Sequence, residues 1–259
     1  NISCMWPEDP VTDSVAYDKA LISWTENGNA NEWKIVYGPE GFDPLTQGDT
    51  ITALSIPDTI YGLSPNTSYD AYVISVCGPG DISNMTTDSA NFTTDCNAVN
   101  APFSEDFENS GTIPACWRQG TQNLENWMFS DTATGYLGYN GTIGGNTNSG
   151  GYFAWVDDSG PHGMNTQLLT PDIDISGLNI PQLSFFFSNH NEGYSNVEFS
   201  VDIYDGNNWN EDVFYSNQNT PNGEWTPVNV YFTGLNIATD SIIRVRFVVD
   251  ESNSSDYYD

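Results

Sequence analysis

YGLSPNTSYDAYVISVCG, residues 61–78, is the stretch on which the fold turns. Its second half, Tyr69 to Cys77, is of strand length and rich in aromatic and β-branched residues, and Gly, Pro and Asn precede it. Such a run between turn residues reads as a strand. Working outward, runs of similar length and pattern lie at Leu21 to Thr25, Glu32 to Tyr37, Thr50 to Ile56 and Ala90 to Thr94. Nowhere does the chain sustain apolar residues at i, i+3, i+4 and i+7, so the expectation is all-β. Short strands at this spacing predict a β-sandwich over residues 1–95.

The segment DCNAVNAP, residues 95–102, is polar, lacks periodicity and ends in Pro. A linker is therefore expected over 96–102. Beyond it, strands are expected near Phe103 to Glu108, Trp127 to Ser130, Tyr152 to Val156, Gln167 to Leu169, Gln182 to Ser188, Val197 to Tyr204, Thr226 to Phe232 and Ile242 to Val249. About eight strands fit a double-sheet jelly roll over 103–259. The Gly- and Asn-rich run YLGYNGTIGGNTNSGG, residues 136–151, reads as a long loop, because ordering Gly costs the most backbone entropy. No internal repeat is visible.

Charge narrows the partners. The 259 residues carry 5 Lys and Arg against 35 Asp and Glu, a formal charge of −30. Affinity for nucleic acid comes from cations that displace counterions from phosphates, so nucleic acid is excluded as a partner. The same repulsion disfavours bare anionic membrane, and no apolar run is long enough to span a bilayer. Aromatic residues make up 14 % of the chain, which suits a packed core rather than an acidic disordered tail. The first residues, Asn1-Ile2-Ser3-Cys4, show no basic patch or apolar run of an export signal, so a mature or excised fragment is expected. Cys4, Cys77, Cys96 and Cys116 lack the close spacing of zinc or redox motifs and are expected in disulfides, for which three connectivities are open.

Leu63, Pro65 and Tyr69, with Trp24, Trp33 and Tyr37 in the earlier strands, give residues 1–95 a pattern that resembles a fibronectin type III domain. In that family the Leu-x-Pro-x-x-x-Tyr run builds a corner whose Tyr hydroxyl bonds to nearby backbone. From residue 103, FSEDFENSGTIPACW, then NWMF, GGYFAWVDDSG, TQLLTPDIDISGLNIPQLSFFF and VRFVVDESNSSDYYD resemble in their order the MAM domain of cell-surface receptors. Phe107-Glu108 and Cys116-Trp117 match the opening of that family, and Gly151 to Asp158 match its central strand. Asp256 to Asp259 approach its acidic closing strand, which the chain is expected not to complete. Glu105 stands where animal members have Cys, so the resemblance is to bacterial versions found beside fibronectin-type modules in exported proteins. It implies Cys4–Cys77 and Cys96–Cys116 pairing, the second bridge pinning the linker to the jelly roll.

Hard divalent cations take six to eight oxygen ligands, and acids at the proposed strand ends could supply them to a structural calcium ion. The candidates are Asp106, Glu108, Asp157, Asp158, Asp256 and Asp259, drawn from the opening strand, the central loop and the closing strand; the alternative for each is a solvated surface acid. DESNSSD, residues 250–256, lacks the central Gly and final Glu of an EF-hand loop. His162 and His190 have no partner at metal-ligand spacing, so zinc is not expected. Nucleophile-elbow, zinc-protease and phosphate-loop motifs are missing, and no catalysis is expected.

Sugar rings present C–H faces to aromatic planes while amides and carboxylates read their hydroxyls. Tyr136, Tyr139, Tyr194 and Trp209, placed on expected loops, are the candidate ligand-binding rings, each with the alternative of covering a sandwich edge. Trp117, Trp127, Trp155 and Trp225 are expected in the core. Asp-Ser/Thr-apolar triplets at Ser14, Thr50, Thr59, Ser89, Thr132 and Ser241 resemble an O-glycosylation signal of some bacteria, and Asn-x-Ser/Thr occurs at Asn1, Asn66, Asn84, Asn91, Asn140 and Asn253. The chain thus reads as a secreted or cell-surface adhesion fragment that binds polysaccharide or a surface protein. Two alternatives stand beside this: a self-assembling unit of a surface filament or gliding adhesin, and accessory domains of a secreted protease or polysaccharide-degrading enzyme.

Overall fold

The computed structural model describes residues 4–121, 124–131, 151–156, 165–189, 197–218, 220, 225–235, 237–238 and 241–251. The described elements are all strands, as the sequence pattern predicts. The chain divides into two compact units, Asn1–Asn97 and Ala98–Asp259.

In the first unit, Glu8–Val15 (β1), Lys19–Thr25 (β2) and Asp58–Tyr61 (β5) form an antiparallel sheet in the order β1-β2-β5. A second sheet runs from Asp49–Ala53 (β4) through Glu32–Pro39 (β3) and Ser68–Gly78 (β6) to Asp81–Met85 (β7), and Ala90–Thr93 (β8) also pairs with β6. Alternation along these strands turns one face inward from each sheet. Ile22 and Trp24 of β2 meet Trp33 and Ile35 of β3 and Tyr69, Ala71 and Val73 of β6 in one core. The rings of Trp24 and Trp33 pack edge to face at 5.5 Å, which adds to the gain from area buried.

The quoted stretch does what its pattern predicts. Tyr69 is buried, and its hydroxyl oxygen accepts the Ser64 N–H at 3.0 Å. Thr94 Oγ1 adds bonds to the Ser64 and Thr67 carbonyls, so the end of β8 is tied to the same corner. Two facing sheets in this order, closed by a tyrosine corner, are a fibronectin type III arrangement. Cys4 is bridged to Cys77 at the end of β6 across 73 residues. Three strands, β1, β5 and β7, lie outside the sequence expectation. Strand β1 is an edge with Pro10 and several acids, β5 is four residues long, and β7 is mostly polar, so none shows a clear apolar run.

In the second unit the central strand is Ile242–Asp250 (β19). The main sheet runs in the order Arg118–Gln119 (β10), Thr166–Leu169 (β13), β19, Ile173–Asp174 (β14) and Val99–Asn100 (β9). Glu198–Tyr204 (β16) also pairs with β19 and carries Trp209–Ser216 (β17). Two separate pairs complete the described strands: Met128–Ser130 (β11) with Phe153–Trp155 (β12), and Gln182–Phe187 (β15) with Thr226–Tyr231 (β18). Inward residues of β16 and β19, Val201, Ile203, Ile243 and Val245, make the larger core with Phe232. Phe247 packs against that core and against a smaller one of Trp117, Phe129 and Leu168.

Two expectations need correction. The segment 96–102 is not simply a linker, because Val99–Asn100 pairs in parallel with Ile173–Asp174 and adds a strand to the main sheet. Two residues are too short for a periodic signal, although Val99 and Ala101 pack on the larger core. Phe103 to Glu108 does not form a strand but leads into a turn. Glu105 Oε1 accepts the Phe107 N–H at 2.8 Å, and Asp106 Oδ1 accepts the Glu108 N–H at 3.1 Å. These local bonds satisfy backbone donors that a sheet would otherwise need.

Candidate functional site

Phe107 fixes the geometry of this turn. Its φ is 60°, a left-handed conformation that strains an ordinary L residue. The strain is offset by its ring, which lies 5.3 Å from Trp117 and 5.7 Å from Phe129 between centroids. With Phe107 anchored inward, Asp106 and Glu108 on either side of it are exposed. Glu108 Oε1 accepts the Tyr152 N–H at 3.0 Å, which brings the turn to the residue before β12. The opening turn and β12 are therefore adjacent, and two of the six candidate metal ligands, Asp106 and Glu108, lie on that turn. Asp157, Asp158, Asp256 and Asp259 lie outside the described residues. Among the described residues no group of three or more His, Cys, Asp or Glu converges in a metal-binding arrangement.

One acid escaped the sequence reading. Glu251, directly after β19, is completely buried. The signal was present in the alternation, since Ile243, Val245 and Val249 are buried and the same period carries position 251 inward. A buried carboxylate needs donors or a cation to remain charged.

Of the four candidate ligand-binding rings, Tyr136, Tyr139 and Tyr194 lie outside the described residues. Trp209 is not on a loop. It opens β17 after a tight turn in which Asp205 Oδ1 accepts the N–H groups of Asn207 and Asn208. Those backbone donors, Asn208 first, hold the Asp205 carboxyl below the usual carboxylate range. The Trp209 ring contacts Tyr204 and lies under the Arg246 guanidinium, 4.2 Å from its centroid. Arg246 in turn pairs with the buried Asp202 at 2.7 Å, and Asp202 also accepts the Asp212 N–H. Trp209 thus covers a buried ion pair, a use that single-sequence reading could not separate from a loop ring. Of the Trp residues expected in the core, Trp117 is buried while Trp127, Trp155 and Trp225 are half-buried.

The polar centre of the first unit is structural. Glu26 Oε2 accepts bonds from Trp33 Nε1 at 2.6 Å and Ser75 Oγ at 2.9 Å, and Oε1 accepts the Gly28 N–H at 2.8 Å. Burial alone would raise its pKa, but these donors outweigh it and hold the carboxyl below its ordinary value. Among the Ser/Thr candidates, Ser14 and Thr59 flank Leu21 in one row across β1, β2 and β5. Ser14 and Thr50 are exposed, Thr59, Ser89 and Ser241 are half-buried, and Thr132 lies outside the described residues. Cys96 and Cys116 are disulfide-bonded, like Cys4 and Cys77, and no cysteine is free.

No family model and no curated protein matches the sequence. Part of the chain is similar to solved structures. A myokine structure matches with 14 % identity and a TM-score of 0.31, covering 36 % of this chain and 99 % of that one. The FN5 domain of Drosophila Lar matches with 16 % identity and a TM-score of 0.29, over 35 % of this chain and 96 % of that one. A computationally redesigned β-sandwich protein matches at 20 % identity and a TM-score of 0.29, over 35 % and 94 % of the two chains.

Proposed function

We propose that this chain is a non-catalytic, extracellular adhesion fragment, in which a fibronectin type III-like module precedes a MAM-like jelly roll that binds polysaccharide or a surface protein. The observation that carries the reading is the complete oxidation of its cysteines, which suits a secreted or surface location. The deficit of cations argues against nucleic acid as a partner and disfavours bare anionic membrane.

A structural calcium ion belongs to the same proposal. Its support is the bond from the Tyr152 N–H to Glu108, which joins the turn of the exposed Asp106 and Glu108 to β12, after which Asp157 and Asp158 follow in the sequence. Glu251, buried directly after β19, precedes Asp256 and Asp259 in the sequence. Hard oxygen donors from three segments would hold the ion, whose charge would relieve repulsion among them. Calcium is expected to raise the melting temperature of the intact chain and to sharpen binding on a glycan array. Identical melting with calcium and with chelator would remove the ion from the account, and silence of the array toward neutral and acidic polysaccharides would count against carbohydrate as the ligand.

A further inference from the structure

Strands β15 and β18, QLSFFF and TPVNVY, hold no charged residue between them in a chain with 35 acids. Their inner face is closed by Leu183 opposite Val230 and Phe185 opposite Val228. The outer face consists of three directly opposed pairs: Gln182 with Tyr231, Ser184 with Asn229, and Phe186 with Pro227. All six residues are exposed, the two aromatic rings included, with Phe186 at 39 % and Tyr231 at 57 %. Alternation explains why they point outward but not why the outer positions of an acidic protein should be aromatic and amide rather than charged.

The geometry points to this face as a binding surface for an extended, uncharged polysaccharide; the inference rests on the proposed adhesion reading and gives its ligand a site and a chemical class. Tyr231 and Phe186 mark the two ends of the patch, four residues apart along the strands, or roughly 13 Å at the usual strand rise. That length accommodates an oligosaccharide rather than one sugar. Each ring offers a plane for the C–H face of a pyranose. Between them the Ser184 hydroxyl donates to Asn229 Oδ1 at 2.7 Å. This bond fixes the amide so that its NH2 group is free to donate to a sugar hydroxyl, with the serine oxygen as a neighbouring acceptor. Charge selects among occupants. With no cation on the patch and a formal charge of −30, an acidic glycan meets only repulsion, whereas a neutral chain pays no such penalty. A protein partner would favour a continuous apolar centre, but the centre here is polar.

The test is titration of the full chain, in calcium, with cellohexaose, laminarihexaose, free glucose and polygalacturonate. At least one neutral hexasaccharide should bind, while glucose and polygalacturonate should not. Tyr231→Ala and Phe186→Ala should each weaken binding about ten-fold, and Tyr231→Phe should retain it. Asn229→Ala should cost about three-fold or more. Since these side chains are exposed, unchanged melting curves will separate lost contact from lost fold. Neutral-glycan binding that survives both alanine variants overturns the assignment of this face and leaves the adhesion reading intact. Binding confined to polygalacturonate overturns the inference in the same way, and silence toward every probe overturns it together with carbohydrate as the ligand class.

Discussion

The two units solve the same problem, closing a β-layer around a core, with different side chains. In the first, apolar residues from both sheets converge on one core, and two polar groups at it are satisfied locally: Glu26 by Trp33 and Ser75, Tyr69 by the Ser64 backbone. In the second, the core is divided in two and joined through Phe247, whose ring contacts Trp117, Phe185 and Phe199. It buries Glu251 and an ion pair, Asp202 with Arg246, roofed by Trp209. The first unit spends its polar residues on holding one frame. The second leaves a charge-free strand pair with outward aromatics, which is the composition expected of a surface that meets a ligand.

That contrast can be broken by mutation, beginning with the covalent link. Replacing Cys4 and Cys77 by Ser opens a crosslink across 73 residues, and the chain-entropy estimate of the loss is about 4 kcal/mol. Denaturant unfolding followed by hydrogen exchange at β3 and β6 should show that loss in the first unit; protection there equal to wild type would contradict the role given to the bridge.

A smaller effect is expected from the ion pair of the second unit. Asp202→Ala leaves Arg246 half-covered without its buried partner, at a cost of about 3 kcal/mol. The fluorescence of Trp209 should change as its cation loses position, and a variant as stable as wild type would show that the pair is ornamental. Smallest is Glu26→Gln, at about 1 kcal/mol. Because the folded Glu26 pKa lies below its unfolded value, the native carboxylate stabilises the fold above the unfolded pKa. The difference between wild type and Glu26→Gln should therefore be full at neutral pH and vanish as pH falls through the lowered folded pKa. A difference independent of pH would assign the effect to packing instead.

How much of this was legible depends on length and on locality. The long inner strands β3, β6 and β19 announce themselves, because runs rich in β-branched and aromatic residues read as strands. The tyrosine corner was equally readable, since its partners Ser64 and Tyr69 are five residues apart. By contrast β9, β10 and β14 have two residues each and gain their register only from distant neighbours. The turn at Phe107 was hidden because side-chain acceptors from Glu105 and Asp106 displaced the sheet ladder. Trp209 failed as a loop candidate because its partner, Arg246, lies in β19. The aromatic pair Phe186 and Tyr231 was overlooked for the same reason: only the register of β15 against β18 places them on one face.

The most direct test of that face is hydrogen exchange on the intact chain with and without saturating neutral hexasaccharide. Protection is expected to rise in β15 and β18, centred on Ser184 and Asn229, and to stay unchanged through the sheets of the first unit. Protection that appears in the first unit, or anywhere in the second while β15 and β18 remain as they were, would contradict the account.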